Sequence, residues 1–244
     1  MIMTCHQFKS DVSRLSSSEE EYLEAIYRRQ TEAGEQAKVK DLAKSLGVKE
    51  PSVVQMLNKL RNRGLVTYDR SGAMLTERGR DQAFKVVRRH KLAERLLCDV
   101  FGHELPGVHE HACELEHVLD DELTERIDAM LKKPATCPHG GAIPRTKDNS
   151  IHREGQSLVN LECGESGTVV TIPEERETVE RLLALNILPG SRVKVVGKLP
   201  RGAVIVQCGK TEVALSREIA SRIMVSRGRG GAGARCRRGR GWRA

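Results

Sequence analysis

Between residues 15 and 29 the chain reads LSSSEEEYLEAIYRR, in which serines are followed three residues on by glutamate and then by apolar residues at Tyr22, Leu23, Ile26 and Tyr27. This is a capping box at the head of an amphipathic helix. After a polar turn around Gly34, VKDLAKSLGV predicts a short helix stopped at Gly47. EPSVVQMLNKLRNRG predicts another, with Pro51 in its first turn and Gly64 just past its end. Two helices joined through a tight glycine turn make a helix-turn-helix. LVTYDRSGAMLTERG then predicts a strand, a turn over Asp69 to Gly72, a second strand and a helix start at Thr76, so the hairpin is the wing of a winged helix.

From Thr76 to about Leu131 the periodicity is helical, interrupted near Gly102 and at Pro106 to Gly107, and two long helices are expected. KKPATCPHGGAIPRTKDNS is rich in proline, glycine and polar residues and marks a linker or structured loop. Beyond it the short β-branched runs GTVVTI, RVKVVG, AVIVQC, TEVAL and RIMV predict a small barrel, interrupted by one helix in EERETVERLLALN. The expected fold is therefore mainly α and multi-domain. It comprises a winged helix-turn-helix (15–82), a helical domain (83–145), a linker (146–156), a small C-terminal β-barrel (157–226) and a low-complexity arginine-glycine tail (227–244).

With 244 residues there is room for two or three small domains. No run of 18 or more apolar residues occurs and the N-terminus lacks an apolar signal core, so no membrane partner and a cytoplasmic location are expected. Seven cysteines at unrelated spacings form neither a disulfide framework nor a paired CxxC motif, so any metal site must mix ligand types. The formal charge of +8 is concentrated in the tail, which holds seven arginines and no acid. Residues 38 to 80 carry ten Lys or Arg against four acids, and residues 106 to 130 carry eight acids against one Arg. One region suits phosphates and the other suits cations.

The acidic region contains VHEHACELEHVLDDE. On a helix His109, Glu116 and His117 fall within about 60° of Cys113, so the four side chains share one arc. A thiol, a carboxylate and an imidazole at i, i+3 and i+4 can grip one cation from a single helix. His90 and Glu94 repeat an i, i+4 pair on the preceding helix. The competing reading is a solvated acidic helix face. Cys137 and His139 in CPHG are spaced like ligands but sit in a turn-rich loop, and are read as structural.

In the helix-turn-helix, the N-terminal end of the second helix would enter the major groove of double-stranded DNA, where Pro51, Ser52 and Gln55 reach bases. Lys49, Lys59 and Arg61, with Arg70 at the wing tip, would hold phosphates.

The winged helix, HKLAERLL (90–97), VHEHACELEHVLDDE and CPHGGAIP occur in this order, and over roughly residues 16 to 145 the chain resembles the iron- and manganese-dependent repressors of the diphtheria toxin repressor type. RLLALNILPGSRVKVV is similar to the small SH3-like domain that such regulators share with a ferrous-transport accessory protein. The resemblance implies a homodimer built on the second domain, operator DNA as partner, and repression of metal-uptake genes. It implies a primary site of Cys113, Glu116 and His117 completed by Glu21, and an ancillary site of His90, Glu94 and His109 reached by Glu175. Iron-type members have methionine at the position of Glu21. Manganese-type members have an acid there, a further acid at the position of Glu24, and a carboxylate in place of Cys113. The thiol favours Fe²⁺, with Mn²⁺ second and Zn²⁺ or Co²⁺ as substitutes in vitro. Two other readings are a metal-dependent hydrolase using Glu110 or Asp120 as general base, and non-specific nucleic-acid binding through the tail.

Overall fold

The computed structural model describes residues 15–145 and 155–227. The chain divides into two compact units, residues 1–86 and 87–244.

The first unit opens with α1 (Ser17–Ala33), capped by Ser16 and Glu19 in the reciprocal arrangement that the sequence predicts, and closed by Gly34 in the left-handed region. Tyr22, Leu23, Ile26 and Tyr27 are buried. Next come α2 (Val39–Leu46), ended by a left-handed Gly47, and α3 (Glu50–Asn62), which buries Val53, Leu57 and Leu60 on one stripe. β1 (Val66–Asp69) and β2 (Gly72–Leu75) pair antiparallel as the wing, and Ala37 adds an isolated bridge to Ala73. α4 (Glu77–Asp99) begins against this hairpin: a Cβ on Gly79 would stand 1.8 Å from the Leu65 carbonyl oxygen, so only glycine allows the approach.

In the second unit the expected second long helix is two shorter ones, α5 (Val108–Leu115) and α6 (Asp121–Met130). The break follows from Asp120, whose Oδ1 accepts the Leu123 N–H at 2.7 Å and starts a new helix. Val118 and Leu123 are exposed. Leu92 and Ala93 of α4 pack with Ala112, Leu119, Ile127 and Ile143. Asp128 of α6, itself buried, is held by Arg88 at 2.9 Å and Arg145 at 2.7 Å.

The C-terminal part is a six-stranded antiparallel sheet in the order β3-β8-β4-β5-β6-β7. Its strands are β3 (Gln156–Ser157), β4 (Ser166–Thr171), β5 (Arg192–Lys198), β6 (Val204–Cys208), β7 (Thr211–Leu215) and β8 (Met224–Arg227). Helices α7 (Arg176–Ala184) and α8 (Arg217–Arg222) flank it, the second of them beyond the single helix that the sequence predicts. Leu158, Leu161, Leu182, Ile187, Val193, Val206, Ile223 and Val225 lie in its core. Gln156, expected in the linker, belongs to β3, and Arg227, expected in the tail, ends β8. The tail from residue 228 and linker residues 146–154 lie outside the described residues. Cys98, Cys113, Cys137 and Cys208 are free thiols, whereas Cys163 is disulfide-bonded.

Candidate metal centre

His90 and Glu94 stand one turn apart on α4 and both are fully buried. His90 Nε2 is 3.3 Å from Glu94 Oε1, and its other nitrogen, Nδ1, is 2.6 Å from Glu116 Oε2. From α5, His109 Nδ1 approaches His90 Nε2 at 3.0 Å and Glu94 Oε1 at 3.6 Å. Cys113, one turn further on, puts Sγ 3.7 Å from His109 Nε2 and 4.0 Å from His90 Nδ1.

A third contribution comes from the turn Cys137–Gly140, closed by the Gly140 N–H donating to the Cys137 carbonyl at 2.9 Å. Gly140 has φ +87°, and a Cβ there would lie 1.8 Å from the Val170 carbonyl oxygen, so glycine is needed for both conformation and space. The turn is thereby laid against the end of β4, where the Ile172 N–H donates to the His139 carbonyl at 3.1 Å. Seated this way, His139 is buried with Nδ1 3.1 Å from Glu94 Oε1, and Cys137 is buried beside it. Two residues past Ile172, Glu174 brings Oε2 to 3.5 Å from His109 Nδ1.

Within the second unit, three groups of donor atoms converge among the described residues, all within 4.8 Å of one another in each: His90, Glu94, His109 and Glu174; Glu94, Cys137, His139 and Glu174; and His90, His109 and Cys113. Both carboxylate oxygens of Glu94 and both ring nitrogens of His139 are buried without an aligned hydrogen bond among the described residues. Such groups are costly to bury. A cation held by the group Glu94, Cys137, His139 and Glu174 would take one oxygen of Glu94 and one ring nitrogen of His139 as ligands. Imidazole, carboxylate and thiol together suit a first-row divalent ion, so the residues present fit the metal that the resemblance implies.

The electrostatics of the metal-free cluster agree. Burial by itself would lower the His90 imidazole, but Cys113, Glu116 and Glu94 outweigh it and raise it well above the ordinary histidine range. Burial likewise opposes protonation of His109, yet Cys113, Glu94 and Glu174 push it up to about 10. Glu94 would be raised by its burial, and instead His109, His139 and His90 hold it well below the carboxylate range. Burial works against ionisation of Cys113, but His109 and His90 bring its thiol below the ordinary cysteine value. Cys137 is pushed up to about 12 by burial first and then by Glu94.

The remaining expected residues are placed as follows. Glu116 is buried, and His117 Nε2 is 3.7 Å from Glu116 Oε1, but Cys113, Glu116 and His117 do not converge as one trio. α5 ends at Leu115, and Glu116 is its C-cap. Glu175, expected at the ancillary site, lies outside the donor groups, whereas its neighbour Glu174 lies within two of them. Glu175 is the N-cap of α7, in extended backbone, and pairs with Arg222, while neighbouring residues of an extended segment point to opposite sides. Cys137 and His139, read as structural from sequence, join the donor groups. On α1, Glu21 is exposed in a cleft with Ser52 and Gln55, and Glu24 is buried with Arg28 at 2.7 Å. Glu110 pairs with Arg176 at 3.4 Å and Asp120 caps α6, and neither is in a donor group among the described residues.

Lys49, Pro51, Ser52, Gln55, Lys59, Arg61 and Arg70 are all exposed. Lys59 also lies 3.4 Å from the buried Glu19, which Arg63 holds at 2.8 Å.

Three family models match successive parts of the chain. They are the N-terminal DNA-binding domain of iron-dependent repressors over residues 14–74, the metal-binding and dimerisation domain of the same repressors over 76–145, and the FeoA domain over 156–227. The iron-dependent repressor IdeR of Mycobacterium tuberculosis is 31% identical over 231 residues, covering 88% of this chain and 100% of its own. The diphtheria toxin repressor of Corynebacterium efficiens is 31% identical over 226 residues, covering 87% and 96%. Among solved structures, a manganese-dependent transcriptional repressor in complex with manganese superimposes with a TM-score of 0.80 at 30% identity, covering 86% of this chain and 99% of the other. With three matching domain models in order and relatives matched over nearly their whole length, the chain belongs to the iron-dependent repressor family, transcriptional regulators that respond to iron or manganese, bind DNA and dimerise.

Proposed function

We propose that this protein is a homodimeric repressor of metal-uptake genes whose binding to operator DNA requires a divalent metal, with Fe²⁺ the first expectation and Mn²⁺ the second. The observation that carries this reading is the buried, unsatisfied carboxylate of Glu94 among His90, His109 and His139. A bound cation supplies the charge that lets these donors be buried together without protons. Two ligand sets follow. The ancillary set is drawn from His90, Glu94, His109, Cys137, His139 and Glu174, which form two quartets sharing Glu94 and Glu174. The primary set is Cys113, Glu116 and His117 with Glu21 and Glu24 of α1, carried over from the family resemblance.

Cys113 and Cys137 add soft sulfur to an otherwise oxygen- and nitrogen-rich set, which favours Fe²⁺ over Mn²⁺. The names of the relatives support both metals, since one is an iron-dependent repressor and another is manganese-dependent. For DNA, the exposed end of α3 would read bases through Ser52 and Gln55, while Lys49, Lys59, Arg61 and Arg70 would position the duplex through phosphates. Ligands distributed over several elements favour one arrangement of them, and any coupling to DNA affinity must be reciprocal.

The test is operator binding under anaerobic conditions with chelator and with Fe²⁺, Mn²⁺ or Zn²⁺ supplied in turn. Tight binding only with metal is expected. Equal affinity in chelator overturns the reading.

A further inference from the structure

Lys91 follows His90 on α4 and is only 7% exposed, a degree of burial that lysine reaches almost only when paired. Its ammonium lies among the ancillary donors. Nζ is 3.8 Å from Glu174 Oε1 and 3.9 Å from Cys137 Sγ. The two oxygens of Glu174 are therefore divided, one toward Lys91 and the other 3.5 Å from His109 Nδ1. Room for the ammonium is made by the loop: a Cβ on Gly141 would stand 2.6 Å from Lys91 Nζ, and Gly141 is not in the left-handed region, so its glycine answers to space rather than to conformation.

We infer that Lys91 is a built-in counter-cation of the Glu94, Cys137, His139 and Glu174 cluster, holding Glu174 and the Cys137 sulfur when metal is absent and raising the concentration of divalent ion needed to fill the cluster. The argument is electrostatic. A fixed positive charge in contact with two donors repels a divalent ion sharing those donors, and the repulsion is screened little in a buried setting. The same charge offsets the buried carboxylates in the metal-free chain, which an apolar residue cannot do. Lys91 thus acts through other residues, as a positioning and threshold-setting group rather than a ligand. This inference rests on the ancillary reading proposed above.

The experiment titrates the full chain and its Lys91→Met variant anaerobically with Co²⁺, following the thiolate-to-cobalt absorption that Cys137→Ser removes. Thermal unfolding is measured with and without metal in parallel. Lys91→Met is expected to tighten the Cys137-dependent binding about tenfold or more at unchanged stoichiometry, since a repelling charge has been taken away. Its metal-free form should melt lower while its loaded form keeps more of the wild-type stability, which widens the gap between the two. If the methionine variant does not fold, Lys91→Gln replaces it with the same expectation. Unchanged or weaker cobalt affinity in a folded variant, or equal loss of stability in both forms, overturns the inference alone. If Cys137→Ser leaves the wild-type spectrum untouched, Cys137 is not a ligand and the inference falls, while the quartet His90, Glu94, His109 and Glu174 of the ancillary reading stands.

Discussion

Glu94 Oε1 and His139 Nδ1 are 3.1 Å apart inside the second unit, yet neither side chain makes an aligned hydrogen bond among the described residues. Donors arranged in this way are positioned for a third atom. His139→Ala should therefore weaken ancillary metal binding by more than the roughly 10- to 100-fold that loss of an outer partner costs. Calorimetric titration of the variant checks it, and affinity unchanged from wild type would make His139 a structural residue.

Proton traffic gives a second prediction. His90 is raised well above 6.5 and His109 to about 10, so at neutral pH the metal-free cluster holds protons that a bound ion must displace. Metal affinity should rise with pH between about 6.5 and 10, and titration heats should scale with the ionisation enthalpy of the buffer. The same shifts set the stability of the metal-free fold. The raised histidines contribute fully below their unfolded value near 6.5 and less as pH rises through their folded values. Glu94, held low, contributes above its unfolded value near 4.5 and less as pH falls. The cluster's contribution should then be greatest between these two values. Metal-free unfolding midpoints that are flat from pH 5 to 9 would contradict the assignment.

On the DNA side, Gln55→Ala should cost about 1 to 3 kcal/mol of discrimination between operator and random DNA, while Lys59→Ala should weaken both alike. Because Lys59 also balances the buried Glu19, its variant should in addition be slightly less stable. Binding isotherms on both duplexes decide the matter, and an unchanged operator-to-random ratio for Gln55→Ala would remove it from the groove.

Cys113 Sγ lies 3.7 Å from His109 Nε2 and 4.0 Å from His90 Nδ1, and the two histidines bring its thiol below the ordinary cysteine value despite its burial. Cys113→Glu should keep metal-dependent DNA binding, raise the Mn²⁺ response relative to Fe²⁺, and slow inactivation in air. Superimposable metal profiles for both proteins would show that this sulfur does not touch the ion.

How much of this was legible in the sequence depended on whether the signal was local. The Ser16 and Glu19 capping box, the glycines ending α1 and α2 and the wing turn are set by residues within one or two turns of each other, and the elements follow the chain as read. The pair His90 and Glu94 was visible for the same reason. Glu174 carried no signal of its own, because the backbone at the N-cap of α7 decides which of two adjacent glutamates lies beside His109, and no periodicity marks it. Cys137 and His139 had ligand spacing, but the fact that gives them a role is long-range: Gly140 lies on the backbone of Val170. The break between α5 and α6 was hidden because Asp120 resembles the other acids of its helix face until its cap is seen.

The donors Glu94 and Glu174 belong to segments separated by roughly eighty residues, and an ion shared by them would work as a crosslink as well as a signal. Because the ion is held only where both segments are in place, its binding free energy stabilises the folded chain over the unfolded one. A protein regulated in this manner would report metal through its lifetime as well as its DNA affinity, because a chain deprived of the ion unfolds more readily and becomes a better substrate for proteolysis.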